Sequence, residues 1–217
     1  MCMMYSVTHP EHVKRLVMLD AIKPISRSVD SVVKRTRASI DDLLAIEAKL
    51  ASDKKANYYT YESALKRLLE GSNQVHGKES ITMASAKILL KRGLRKASED
   101  NDDVWEFTRD LKHRIASLYG YPQEVMKAMA AEVKCPHLIV KSLEGSLYEA
   151  EQNAREVLDI YKSTNPQFKY VEVAGNHHVH LNNPDHVWPE IQAFLEHQKL
   201  NQGRSSEQMK ASWQPTS

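Results

Sequence analysis

The chain has 217 residues, 41% of them hydrophobic and 27% charged, which supplies a globular core and fits the size of a single domain. A net charge of +2 at pH 7 argues against a nucleic-acid binder, which concentrates Lys and Arg on one face; the row Lys87, Lys91 and Arg95 reads as a solvated helix face. Cys2 and Cys135 cannot build a disulfide framework, and the opening residues hold no basic n-region and no apolar run of the roughly 20 residues a membrane span requires, so a soluble cytoplasmic chain is expected.

Residues 3 to 9 read as the tail of a helix stopped by Pro10, followed by a strand over Val13 to Asp20 whose apolar run Leu16 to Leu19 suits a parallel strand covered on both faces. From Ser39 to about Ala131 the apolar period becomes 3.6. Ser39 is expected to cap a helix with Asp41 and Asp42 in its first turn and Leu43, Leu44, Ala48 and Leu50 on its buried side. A second helix is expected from about Thr60 to Glu70, stopped by Gly71, and a third from a Ser80 cap with Ile81, Ala84, Ile88 and Leu89 on one side. Strand and helix then alternate: Val133 to Val140 as a strand entered at Pro136, Glu149 to Lys162 as a helix with Ala154, Val157, Leu158 and Tyr161 inward, Phe168 to Val173 as a strand, and Pro189 to Leu200 as a last helix. Such alternation predicts an α/β fold with parallel pairing. The expected division is 1–23 as helix and strand, 24–131 as a helical lid or cap, 132–200 as the C-terminal α/β part, and 201–217 as a polar, disordered tail.

The phrase Gly175-Asn176-His177 follows a strand, and a loop there holds an imidazole at the C-terminal edge of a parallel sheet, where α/β proteins bind their ligands. His177 is therefore a candidate general base, against the plainer reading of a surface histidine. An acid to orient it could come from Glu144, on the loop after the preceding strand, or from Asp20, one strand earlier; the residues leave both open. His178 and His180 suggest a metal cluster, but no third or fourth ligand stands at zinc spacing, so neither metal nor other cofactor is expected. Tyr58, Tyr59, Tyr61, Trp105 and Phe107 could line a substrate pocket or simply pack the helical block. A nucleophile elbow, Gly-x-Ser-x-Gly, needs two glycines four apart, and none of Gly71, Gly77, Gly93, Gly120, Gly145, Gly175 and Gly203 are so spaced.

Taken together, these phrases resemble the C-terminal portion of an α/β-hydrolase, and within that superfamily the serine hydrolase-like proteins of animals. The resemblance runs through Tyr5-Ser-Val-Thr-His-Pro10, Leu16-Val-Met-Leu-Asp20, Arg92-Gly-Leu-Arg with Val104-Trp-Glu-Phe-Thr-Arg109-Asp110, Val133 to Val140, and Gly175-Asn-His177 to Pro184. It implies a partial α/β-hydrolase fold, its last three parallel strands with flanking helices carrying a helical lid, with the family's nucleophile just upstream of Met1. It also implies a small ester-like substrate for the full-length parent, the base in His177, the acid in Glu144 or Asp20, substrate contacts from Trp105 and Phe107, and an association with perinuclear vesicles or peroxisomes. Without nucleophile and oxyanion hole the chain itself is expected to be inactive. The competing expectation is a non-catalytic polypeptide, a truncated isoform, pseudogene product or protein-binding module, prone to aggregate or to pair with a partner that completes its sheet.

Overall fold

The computed structural model describes residues 2–52, 57–77, 79–115 and 120–196; the expected tail at 201–217 and the end of the last expected helix lie outside the described residues. In chain order the elements are α1 (Cys2–Thr8), β1 (Leu16–Leu19), α2 (Val29–Ala51), α3 (Tyr61–His76), α4 (Met83–Gly93), β2 (Leu94–Lys96), β3 (Trp105–Phe107), α5 (Gln123–Ala131), β4 (His137–Ser142), α6 (Glu151–Thr164), β5 (Phe168–Val173), α7 (Val179–Asn182) and α8 over 188–196. They form two compact units, one of Met1–Pro24 with Lys127–Ser217 and one of Ile25–Met126.

The first unit is built on a parallel sheet of order β1-β4-β5. All six residues of β4 are buried, and its alternating side chains serve two cores, one on each face. Ile139 joins Met3, Val133, Ala154, Val157 and Tyr161 on one face; Leu138 and Val140 join Val173, Val179 and Phe194 on the other. β1 lies at the sheet's edge, so Leu16 is buried while Val17, Met18 and Leu19 are half-buried, less covered than the apolar run predicts. α6 turns Ala154, Val157 and Tyr161 inward as its period requires, with Leu158 packed at the margin of the same core. The register pairs Leu19 with Val140 and Ser142 with Val173, so the residues just past all three strands meet at one edge.

The second unit departs from the expected pattern in detail. α2 begins after Ser28, with Asp30 in its first turn, and Ser39 stands buried in its middle rather than at its start. Between residues 25 and 45 the pattern Ser-x-Asp occurs at Ser28 and again at Ser39, and the earlier occurrence opens the helix. Ser39 shares the less exposed row with Val32, Thr36, Leu43 and Ile46, whereas Leu44, Ala48 and Leu50 face solvent. α3 starts at Thr60, whose side chain accepts from the Ser63 N–H, but runs through Gly71 to Gly77, where φ is +91°. A glycine inside a helix costs about 1 kcal/mol and does not by itself stop it. α4 is capped by Thr82, whose side chain accepts from the Ser85 N–H, rather than by Ser80; it buries Ser85, Ala86 and Leu90, leaving Ala84, Ile88 and Leu89 exposed. The antiparallel pair β2–β3 lies within the block expected to be helical; strands of three residues carry no readable alternation.

Candidate active site

The site grows from the shared edge of the parallel sheet. Just beyond β1, Asp20 adopts φ +47°, a left-handed conformation that aspartate tolerates better than most residues, and its N–H donates to Val140 O at 2.8 Å. Just beyond β5, Gly175 takes φ +126°, where a Cβ would lie 2.8 Å from Val179 Cγ2, so only glycine lets the chain turn tightly into α7. The Asn176 side chain then accepts from the His178 N–H at 2.9 Å and the Asn182 amide at 3.2 Å, which shapes the histidine loop.

These turns bring His177 Nδ1 to 2.6 Å from Asp20 Oδ2, although the residues are 157 apart in sequence. Asp20's side chain is 1% exposed and that of His177 30%, so the carboxylate is dry and the ring reaches the surface. The other carboxylate oxygen, Oδ1, accepts from Lys141 Nζ at 2.6 Å and from the Ser142 N–H at 3.0 Å. Burial alone would raise the proton affinity of Asp20; the hydrogen bonds from Lys141, Ser142 and His177 outweigh it and hold the carboxyl below the ordinary aspartate range. The Nδ1 contact to a carboxylate, which can only accept, suits the tautomer with its proton on Nδ1, and that tautomer carries its lone pair on Nε2, the arrangement a proton acceptor needs.

Of the two acids named from the sequence, only Asp20 has a carboxylate at hydrogen-bond distance from Nδ1 among the described contacts. Glu144 is exposed, and it enters the site through its backbone, whose N–H donates to Gly175 O at 3.1 Å beside the parallel bond from Leu143 N to Val173 O at 3.0 Å. Gly145 is the residue that makes room. A Cβ there would stand 2.2 Å from Asp20 Oδ2 and 2.2 Å from Ser142 Oγ, so the loop after β4 accommodates a carboxylate arriving from the end of β1 by having no side chain at that point. Tyr148, at φ +57°, presents its ring edge-on to His177 with centroids 5.9 Å apart. Two of the three non-glycine residues with positive φ among the described residues, Asp20 and Tyr148, therefore converge on His177.

Lys141, Gly145 and Tyr148 are not among the residues singled out from the sequence. Lys141 did leave a signal, a lysine directly after the apolar run Leu138-Ile-Val140 and within the same fully buried strand, which demands an anion nearby. His178 packs against His177 with ring centroids 4.9 Å apart and His180 against His178 at 6.2 Å; burial, and next the neighbouring His177, lowers the proton affinity of His180. Among the described residues no group of three or more His, Cys, Asp or Glu is placed to hold a metal ion, and no helix is long and apolar enough to cross a membrane. Trp105 and Phe107 lie on β3 in the helical unit, half-buried, where Trp105 meets the Tyr61 ring at 6.0 Å and Phe107 meets Tyr59 edge-on at 5.4 Å.

Comparison with models of protein families gives no match. Among curated proteins the chain is 28% identical over 192 residues to "Probable serine hydrolase" of Drosophila melanogaster, spanning 88% of this chain and 55% of that protein. It is 30% identical over 204 residues to "Serine hydrolase-like protein" of Danio rerio, spanning 93% of this chain and 59% of that one. The chain thus spans less than two thirds of the length of these relatives. Among solved structures it is similar to a hypothetical protein of Pseudomonas aeruginosa, with a TM-score of 0.65 at 22% identity over 88% of this chain and 60% of that one. A thioesterase domain from the curacin biosynthetic pathway gives a TM-score of 0.56 at 16% identity over 91% and 60%. At such identities these structures speak for the fold. The chain is a homologue of the serine hydrolase-like proteins and carries part of the α/β-hydrolase fold.

Proposed function

We propose that this chain supplies the base and acid of a serine hydrolase site that acts on a small ester-like substrate. The observation that carries the reading is the 2.6 Å hydrogen bond between Asp20 Oδ2 and His177 Nδ1 at the carboxyl edge of a parallel sheet. In this scheme His177 Nε2 takes the proton of an attacking hydroxyl and returns it to the leaving alkoxide, while Asp20 fixes the ring and stabilises the imidazolium formed between the two steps. Glu144 is left the part of a backbone donor to the histidine loop. The helical block takes the part of a lid, with Trp105 and Phe107 as its substrate contacts, and the chain works inside the cell.

The same reading assigns no acyl transfer to the chain by itself, since the 217 residues contain no Gly-x-Ser-x-Gly turn and a triad without its nucleophile loses on the order of 10⁶ in turnover. A serine-directed fluorophosphonate probe tests this on the purified chain. The expected result is no covalent labelling and ester hydrolysis at the rate of buffer; labelling that disappears in His177→Ala would overturn it.

A second reading, a non-catalytic module that captures a sheet-completing partner, is favoured by the position of β1. Its four apolar residues form the edge strand of the described sheet, and such an edge is a template for further pairing. Size-exclusion chromatography separates the readings: a monomer with no binding partner disfavours the second, and assembly abolished by Val17→Pro, whose N–H points away from β4 while Leu16 and Asp20 donate to it, supports it.

A further inference from the structure

We infer that Lys141 is a positioning residue for His177, the standing counter-ion that keeps Asp20 ionised while the histidine is neutral and able to accept a proton. The inference rests on the base role proposed for His177. Lys141 Nζ lies 2.6 Å from Asp20 Oδ1, 2.9 Å from Ser142 O and 2.7 Å from Gly145 O, three acceptors for the three protons of an ammonium group. Its side chain is 8% exposed, so little water screens the pair.

The consequence follows from charge. A buried carboxylate whose one partner is an imidazole acquires its counter-ion by drawing a proton onto that ring, and an imidazolium cannot act as a base. A cation already bonded to Oδ1 removes that demand. The contact also decides geometry: Lys141 and the Ser142 N–H both hold Oδ1, so Oδ2 is the oxygen presented to Nδ1. Besides Asp20, the described ring contacts put the phenol of Tyr148 and the imidazoles of His178 and, through it, His180 near His177, and none of these groups carries a permanent positive charge.

The test is an NMR titration of the His177 ring carbons and protons in the parent chain, Lys141→Met and Lys141→Arg. Removing the cation is expected to move the titration midpoint of His177 to higher pH by about one unit, roughly tenfold tighter proton binding, because one neighbouring charge shifts a titration by that order. The arginine variant keeps the cation and is expected to stay near the parent. An unchanged midpoint in Lys141→Met, or an equal rise in both variants, overturns the inference. If Lys141→Met does not fold, Lys141→Gln takes its place; failure of both to fold would assign the lysine to the fold rather than to the histidine and overturn the inference as well. Should the parent show no His177 Nδ1–H signal that depends on Asp20, it is the base role itself that fails, and the two failures are told apart.

Discussion

The carboxyl edge of the sheet and the helical unit use charge in opposite ways. At the sheet edge, two buried pairs tie distant parts of the chain: Lys141 to Asp20, 121 residues apart, and Lys23 to Glu149, 126 apart, the latter with side chains 0% and 9% exposed. In the helical unit, Arg37–Asp41 and Lys66–Glu70 are exposed pairs one helical turn apart. Water competes for the second kind and not for the first. Buried pairs therefore fix geometry at an energetic risk, whereas exposed pairs mainly keep a helix solvated.

The largest effect that would sharpen this contrast is expected from Lys23→Met. It leaves Glu149 buried without its cation and should destabilise the chain by about 3–5 kcal/mol, read as a lower urea midpoint. Next is His137, fully buried between Tyr161 and Phe168 with neither ring nitrogen hydrogen-bonded, where burial pushes the imidazole down to about 4. Because the folded state binds its proton less readily than the unfolded chain, stability is fully present above about pH 6.5 and is lost as pH falls toward 4, by on the order of 3 kcal/mol. His137→Phe should flatten that part of the stability-versus-pH curve; a slope equal to the parent's between pH 6.5 and 4 would remove His137 as its cause. In the helical unit, Thr60→Ala deletes the α3 cap and should cost about 1 kcal/mol. The smallest effect is expected from Lys66→Ala, at most about 0.5 kcal/mol by the same denaturation; a loss as large as that of Lys23→Met would break the contrast.

The same contrast explains what can be read from the sequence. β5 falls at Phe168–Val173 as its pattern requires, and α6 buries Ala154, Val157 and Tyr161, because elements covered by a core leave an unambiguous period. α2 does not, since it carries two apolar rows, with Val32, Leu43 and Ile46 less exposed and Val33, Ile40 and Leu44 open to solvent, and the period alone does not choose between them. In the site, the Gly175-Asn176-His177 loop is legible because a glycine with φ +126° after a strand leaves a local mark. Which acid reaches the ring is not. That depends on the register of Leu19 with Val140 and on the empty space at Gly145, both of which join residues more than 100 positions apart.

The measurement that bears most directly on the paired Asp20 and His177 is NMR detection of the imidazole Nδ1 proton in the parent chain, Asp20→Asn and Glu144→Gln. A hydrogen-bonded proton, shifted far downfield and slow to exchange, is predicted in the parent and in Glu144→Gln and should vanish or move upfield in Asp20→Asn. A signal indifferent to Asp20 and abolished by Glu144→Gln would contradict the account.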